Sequence, residues 1–258
     1  MSEQTIHSTG SDSAGAEAQR RLPTTDKPSP DVPYRLGWGE WVEERFHWSW
    51  FTCTQSTGGI GIVLSECPKQ FKGLQAIGKI VFVFNLAMFV LFSGLMVWKL
   101  VRNPGKFRKS FTTAPQCYFY GSFWLTIATI IISLQRYGVD NTGPWLVVVI
   151  RILFWMYAVI TFISTTIHFT VVFQYIPMQS IEMNPAWFFL VFNAMLTGTV
   201  ASGIIEGQPP HHRVPIIVAG VAYQGLGWIV SMMILSWFLG NLMEKGWPPA
   251  SKTPALFM

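Results

Sequence analysis

The residues of this sequence that could act on a solute are hydroxyls and glycines set among apolar side chains. The stretch FTCTQSTGGIGIVL, residues 51–64, carries Thr, Ser, Gln and Gly before its aliphatic end is reached. A hydroxyl can donate a hydrogen bond to a carboxylate oxygen, and a glycine lets a solute or a second helix come close. The same mixture recurs in YGSFWLTIAT and NAMLTGTVASG. These three stretches supply the candidate residues of a substrate pathway: Thr54, Thr57, Gly58, Gly61, Gly121, Thr126, Thr197 and Ser202.

A purely structural explanation of the same residues stays open. Small residues also build tight seams between membrane helices, and Ser or Thr hydroxyls can bond back to their own helix backbone. The small residues of 51–64 surround the helix on every side, so their spacing does not select one inward face. The sequence therefore leaves two alternatives, a seam between helices and a lining that faces water.

Three arginines near the ends of apolar segments form a second candidate group. Arg136, Arg151 and Arg213 all fall on one predicted side of the membrane. Together they predict an electropositive outer mouth that raises the local concentration of a dianion. For Arg151, about six residues inside its segment, the alternative is a guanidinium that reaches back to the membrane interface.

Histidines are the third candidate group. His168, near the end of an apolar segment, is a candidate for proton-linked transport because imidazole titrates near neutral pH. A packed, hydrogen-bonded histidine is the alternative. His211 and His212 are adjacent, so their side chains are expected to point apart and to leave a metal ion without enough ligands. The sequence predicts no metal site and no cofactor.

Composition indicates that membrane-spanning helices must position these residues. Half of the chain is hydrophobic (50%), 12% is charged and the mean hydropathy is +0.36. A soluble domain carries about a quarter charged residues, so an integral membrane protein is predicted. The net charge of +5 is read as membrane topology and not as nucleic-acid binding. No nucleophile–base pair or phosphate-cradling loop is visible, so no enzyme is predicted.

Six segments can cross about 30 Å of hydrocarbon at roughly 20 residues each. They are Trp48–Leu64, Ile80–Leu100, Tyr118–Leu134, Trp145–Phe173, Ala186–Ile205 and Val214–Leu239. The odd-numbered segments contain the small polar residues and the even-numbered ones are smoother, which predicts inner odd helices backed by outer even helices. Around them we expect a disordered cytoplasmic tail at 1–39, an interfacial aromatic segment at 40–47, a transmembrane domain at 48–245 and a cytoplasmic C-terminal segment at 246–258.

Basic residues predict the orientation of the segments. Most of the Lys and Arg residues fall on the side of the N-terminus, above all in the short loop KLVRNPGKFRK after the second segment. Because such loops stay in the cytoplasm, both termini of this chain are expected there.

Several blocks resemble the fungal malic acid transport proteins. The resemblance is carried by FHWSWFTCTQSTGGIGIVL, FKGLQAIGKIVFVFNL, GSFWLTIATIIISLQRYG, GPWLVVVIRILFWMYAVITF and QPPHHRVPIIVAGVAYQGLGWIVSMM. These proteins belong to the tellurite-resistance/dicarboxylate transporter family, together with guard-cell slow anion channels and sulfite efflux pumps. The resemblance implies ten helices in a ring of five hairpins, with odd-numbered helices around a central pore in the plasma membrane.

The resemblance favours one branch of the family and includes departures from it. QSTGGIG and FWLTIA stand where sulfite pumps have a Met-Gly-Thr-Gly-Ile run and a Pro-Met-Gly step, so the malate branch is closer. Gln55 replaces a usual Met, and Ala114 and Cys117 occupy the His and Glu places of a His-Pro-x-Glu sequence. The chain ends after the sixth helix where relatives continue into four more, which predicts a truncated sequence; a six-helix oligomer is the alternative.

The expected function is transmembrane transport of C4-dicarboxylates, mainly malate, as a dianion or as a monoanion together with protons. One alternative keeps the fold and moves sulfite or another small anion. A second is a non-conducting membrane protein that associates with full-length relatives. Membrane lipid and a second copy of the chain are the other expected partners, and nucleic acid is not one.

Overall fold

The chain is helical in nearly all of the part that the structure describes. A computed structural model describes residues 37–69, 71, 73–112, 116–175 and 187–246. The predicted tail at 1–39 and the C-terminal segment at 246–258 therefore lie almost wholly outside the described residues. Within the described ranges the α-helices are α1 Trp38–Arg45, α2 Phe51–Glu66, α3 Leu74–Arg102, α4 Pro104–Thr112, α5 Tyr120–Gly138, α6 Trp145–Tyr175, α7 Phe188–Ile204 and α8 Pro210–Lys245.

Five of these helices are long and apolar enough to cross a membrane, counted over the described residues. They are α3, α5, α6, α7 and α8, where α7 is counted together with the short turn that follows it. They match the second to sixth predicted segments. The first predicted segment corresponds to α2, which has 16 residues. At 1.5 Å per residue α2 is about 24 Å long, short of the hydrocarbon thickness. The all-α membrane class is confirmed, with α2 as the shortest of the six helices.

The helices divide into an inner and an outer set. In the most apolar window of α5 and of α7, 61% of the residues are buried, against 17% in α3, 33% in α6 and 22% in α8. Helix α2 packs against α3 and α5, and α7 packs against α5, α6 and α8. The outer helices present rows of exposed Val, Ile, Leu and Trp side chains, as lipid-facing helices do. The predicted alternation agrees with this burial for α5 and α7 against α3, α6 and α8. In α2 only Phe51, Thr54, Gly58 and Gly61 are buried, so its place among the inner helices stays a prediction.

An aromatic cluster closes the bundle on the side of the N-terminus. Trp48 is buried at its centre and donates a hydrogen bond from Nε1 to Ser110 Oγ at 3.3 Å. Its ring lies with centroid distances of 5.1–6.2 Å from five others, which belong to Phe51, Phe107, Phe111, Tyr120 and Phe123. Tilted and edge-to-face pairs at such distances add to the energy of burial. One tryptophan therefore ties the start of α2 to both α4 and α5.

Polar contacts hold the chain before α2 against the end of α3. Lys99 is buried in the last turns of α3 and donates from Nζ to the Phe46 carbonyl oxygen at 2.7 Å. The His47 ring approaches the Gln116 side-chain amide at 3.4 Å. Burial, and then the charge of Lys99, lower the pKa of His47 below its usual range, so a neutral imidazole is favoured beside the ammonium group.

Replacement of Trp48 by Ala should destabilise the protein by about 3–5 kcal/mol, because it leaves a cavity among five aromatic rings. The thermal unfolding midpoint of the detergent-solubilised chain would measure this. Trp38→Ala is the matched control, since Trp38 is 87% exposed. Equal losses in the two variants would contradict the role given to the cluster.

Candidate functional site

Two of the predicted pathway residues meet where α2 crosses α5. Thr54 and Thr126 are both fully buried, and their Oγ1 atoms lie 2.9 Å apart. The Thr54 hydroxyl also lies 2.8 Å from the Phe51 carbonyl oxygen, and the Thr126 hydroxyl lies 2.8 Å from the Ser122 carbonyl oxygen. Because each hydroxyl has one proton and the neighbouring carbonyls can accept both, these groups are satisfied within the protein.

Gly58 continues the same crossing one turn further along α2. A Cβ atom at Gly58 would lie 2.8 Å from Thr129 Cβ and 2.9 Å from Asn85 Nδ2, so only glycine permits this approach of α2, α3 and α5. The Asn85 side chain is fully buried and finds no hydrogen-bond partner in the protein. One turn beyond, the Gly61 carbonyl accepts a hydrogen bond from the Tyr137 hydroxyl at 2.5 Å.

Gly121 and Thr197 belong to the seams of α7. A Cβ at Gly121 would lie 2.5 Å from the Phe189 carbonyl oxygen, which shows that α5 and α7 touch through their backbones. With its amide nitrogen turned toward the carbonyls, Asn193 donates to Gly121 O at 3.0 Å and to Phe189 O at 3.3 Å. Thr197 is fully buried, and its hydroxyl has no partner in the protein.

The last two pathway candidates lie at exposed surfaces of inner helices. Thr57 donates to the Cys53 carbonyl oxygen at 2.8 Å, and Ser202 donates to the Thr199 carbonyl oxygen at 2.9 Å. The structure therefore brings Thr54, Thr126 and Gly58 together in one seam and distributes the other candidates along the inner helices. Their role as a lining stays a prediction, and most of their hydroxyl protons are already donated to carbonyl oxygens.

An ion-pair cluster joins the ends of all three inner helices on the side opposite the N-terminus. Arg136, near the end of α5, lies 2.9 Å from Glu66 at the end of α2 and 3.4 Å from Glu206 just after α7. The three side chains are 28%, 54% and 79% exposed, so each pair is worth about 1 kcal/mol or less. Two carboxylates therefore offset the charge of Arg136 at the predicted outer mouth.

The other two predicted mouth arginines have different surroundings. Arg213 donates from Nε to the Gln208 carbonyl oxygen at 2.7 Å and from Nη2 to the Glu206 carbonyl oxygen at 3.1 Å. It thus binds carbonyl oxygens of the turn that follows α7. Arg151 lies close enough to His212 to interact with it electrostatically. Arg136, Arg151 and Arg213 thus differ in their surroundings, and the role of this end as a mouth stays a prediction.

His168 lies away from the seams of α2. It is buried on α6, beside Tyr120 with ring centroids 5.3 Å apart, and neither of its ring nitrogens has a hydrogen-bond partner in the protein. The alternative of a packed histidine that is hydrogen-bonded to the protein is therefore wrong. A proton-linked role for this residue stays a prediction.

No group of three or more His, Cys, Asp or Glu side chains that could hold a metal ion occurs among the residues that the structure describes. The rings of His211 and His212 lie near each other, with centroids 4.0 Å apart. The expectation that these two side chains point apart is therefore wrong, since the rings are close enough to contact each other.

Tyrosines that sequence reasoning did not single out hold several helix pairs together. Tyr157 on α6 donates to the Asn193 carbonyl oxygen of α7 at 2.9 Å, and Tyr223 on α8 donates to the Ala158 carbonyl oxygen of α6 at 3.2 Å. With Tyr137, they form a set of hydroxyls that bond across helices to main-chain oxygens. A lone tyrosine deep inside an apolar segment is the sequence signal that could have identified them, since a buried hydroxyl needs a partner.

These features define a multi-pass helical membrane protein whose inner helices meet through small residues. The sequence profile of the voltage-dependent anion channel family matches residues 45–258, and the chain belongs to that family. The resemblance described from the sequence blocks is thereby confirmed.

Named relatives include transporters of two kinds. The malic acid transport protein of Schizosaccharomyces pombe is 31% identical over 215 residues, which are 83% of this chain and 49% of that protein. Sulfite efflux pump SSU1 of Arthroderma benhamiae is 25% identical over 223 residues, 84% of this chain and 59% of that protein. The chain thus spans about half the length of the malic acid transport protein it matches. No solved structure matches it.

Gly58→Ala should lower the thermal unfolding midpoint and the yield of monodisperse protein, since the added methyl group must push α2 away from Thr129 and Asn85. Gly59→Ala is the matched control: a Cβ there meets nothing within 4 Å, and Ala favours a helix by up to about 1 kcal/mol over Gly. If both variants shift the midpoint in the same direction, the seam at Gly58 does not limit packing.

The pair between Arg136 and Glu66 should show a coupling energy below about 1 kcal/mol that shrinks as KCl is added. A double-mutant cycle of Arg136→Gln and Glu66→Gln, read from unfolding midpoints at low and high salt, measures it. Strictly additive midpoints at low salt would show that the pair contributes nothing.

Proposed function

We propose that this chain forms part of a path that carries C4-dicarboxylates, chiefly malate, across the plasma membrane. The observation that supports this most is the order of similarity: 31% identity to a malic acid transport protein against 25% and 26% to sulfite efflux pumps. The chain acts as a transporter and not as an enzyme. Its substrate is a small organic dianion, or a monoanion that enters with a proton.

Helices α2, α5 and α7 lie along the path in this proposal. Thr54, Gly58, Gly121 and Thr126 set how closely these helices approach one another, and so they set the width of the path. Thr57 and Ser202 lie on surfaces that remain exposed, where a solute can reach them. Gly61 on α2 and Thr197 on α7 belong to the same group of path residues.

Charge draws the anion to the path. Arg151 and Arg213 attract a dianion to the outer mouth, while Arg136 is held by two carboxylates and contributes less field. On the other side, α4 presents the exposed side chains of Lys106, Arg108 and Lys109. By the bias of basic residues toward the cytoplasm, that side and both termini of the chain are cytoplasmic.

Sulfite transport on the same fold is the second candidate. It is supported by similarity to sulfite efflux pumps over 84% of this chain. The two candidates differ in what the path must accommodate, since a C4-dicarboxylate is longer and carries two carboxylates.

A chimera tests the proposal. Residues 45–258 of this chain would replace the matching part of the Schizosaccharomyces pombe malic acid transport protein in cells that lack their own carrier. We expect saturable uptake of labelled malate at acidic pH, reduced by unlabelled C4-dicarboxylates and not by equal concentrations of sulfite. The intact Schizosaccharomyces pombe protein and an empty vector are the controls, and surface labelling confirms delivery of the chimera.

Two outcomes would overturn the proposal. Sulfite transport without malate uptake would assign this half of the path to the second candidate. Absence of both activities in a chimera that reaches the surface would remove these helices from the path. The 258-residue chain expressed alone distinguishes further: malate uptake would mean that copies of the chain assemble a complete path by themselves.

A further inference from the structure

A cavity of about 490 Å³ lies between α4, α5 and α6 on the side of the N-terminus. Its inner wall is aromatic and is formed by Phe111, Tyr120 and Trp124. Its outer edge is formed by isoleucines of α6, of which Ile163 and Ile167 are more than half exposed. Because α6 is an outer membrane helix, the cavity opens toward lipid and not toward the seams of α2.

The cavity contains buried polar groups that the protein leaves unsatisfied. His168 is 6% exposed, lines the cavity, and has no hydrogen-bond partner for Nδ1 or Nε2. Trp124 Nε1, on the opposite wall, has none either. The Tyr120 and Ser164 hydroxyls lie 3.0 Å apart, so one of them donates to the other. An unpaired buried polar group destabilises the folded protein, and a ligand that hydrogen-bonds to it would remove that cost.

The depth of His168 restricts the ligand. It lies seven residues before the end of α6 at Tyr175, or about 10 Å along the helix axis. The headgroup region takes up roughly 5–8 Å on each side of a bilayer. With Tyr175 taken to lie at the outer edge of the headgroups, His168 falls just inside the hydrocarbon boundary. Ile160, at the other end of the cavity, is about 12 Å deeper. A matching ligand has one polar group at the boundary and an apolar body below it.

The charge and shape of the cavity further restrict which ligand can bind. Among the residues that the structure describes, those lining the cavity include no Lys, Arg, Asp or Glu, so no charge in this lining would pair with a phosphate. Flat aromatic faces opposite branched side chains suit a rigid, fused-ring body better than a flexible acyl chain, which loses more conformational entropy on binding. A single hydroxyl can both donate to and accept from an imidazole.

We propose that this cavity binds a membrane sterol, with the sterol hydroxyl hydrogen-bonded to His168 and the rings against Tyr120 and Trp124. The site lies on the face of α5 that packs against α4 and α6, away from the seams of α2. Sterol binding there can be tested without a transport assay.

The experiment uses a photoactivatable sterol with a diazirine on its ring system. The full chain is reconstituted into phospholipid nanodiscs that contain the probe, and labelled peptides are located by mass spectrometry. We expect saturable labelling of the peptides around residues 160–171 and 120–124, competed by unlabelled sterol and not by diacylglycerol. His168→Phe and Ile163→Trp, which respectively remove the hydrogen bond and fill the cavity, should each reduce labelling at least fivefold.

Ile152→Trp is the matched control, because Ile152 lies on the same helix outside the cavity and is 52% exposed, against 53% for Ile163. It should leave labelling unchanged. Since Ile163 faces outward, its replacement keeps the test valid even if His168→Phe fails to fold. Labelling that Ile163→Trp does not reduce, or that spreads evenly over the exposed faces of α3, α6 and α8, would overturn the proposal. Competition by diacylglycerol as strong as that by sterol would also overturn it.

Discussion

The structure depends on one constraint: in lipid no water can replace a missing hydrogen-bond partner, so a polar group on a helix is stabilised chiefly by partners inside the protein. Glycine at position 58 and at position 121 lets α2, α5 and α7 come close enough for this to happen. At that separation the Thr54 and Thr126 hydroxyls lie within hydrogen-bonding distance of each other. The Asn193 amide reaches one carbonyl oxygen of α5, at Gly121, and one of its own helix, at Phe189. A larger side chain at either glycine would separate the helices and break the contacts between Thr54 and Thr126 and between Asn193 and Gly121. The remaining partners would be carbonyl oxygens of the same helix, since no water can replace the lost contacts in lipid.

The two ends of the bundle are held by different physics. On the side of the N-terminus, Trp48 gathers aromatic rings from α2, α4 and α5, and this contact is insensitive to salt. On the opposite side, Arg136 links the ends of α2, α5 and α7 through exposed ion pairs that salt screens. The end at Trp48 is therefore the more strongly held. The end at Arg136, where the inner helices meet through ion pairs of modest energy, would rearrange at less cost.

The sequence allowed the helices to be predicted, but not which side chains contact each other across them. Long apolar runs are local signals, so the all-α membrane class and the alternation of inner and outer helices could be predicted. The shortness of α2 could not, because its aromatic lead-in at Trp48–Trp50 forms a separate turn and not a first turn of the helix. Which carboxylate meets Arg136 depends on how three helices converge, and Glu66 and Glu206 are each 70 residues from it along the chain. The same holds for Thr54 and Thr126, whose contact is set by the crossing of α2 and α5.

The satisfied hydroxyls also bear on how a path along these helices would choose its solute. A carboxylate needs donors, yet Thr54, Thr57, Thr126 and Ser202 already lie in bonding range of carbonyl oxygens at 2.8–2.9 Å. To serve an anion, each would have to break a bond worth about 1 kcal/mol, and so it would add little net affinity. Discrimination would then come from the width of the path and from the arginines at its mouth. In the proposed path the seam glycines set that width. Substituting a seam glycine, far from any bound anion, would therefore change which solutes pass more than substituting a hydroxyl residue would.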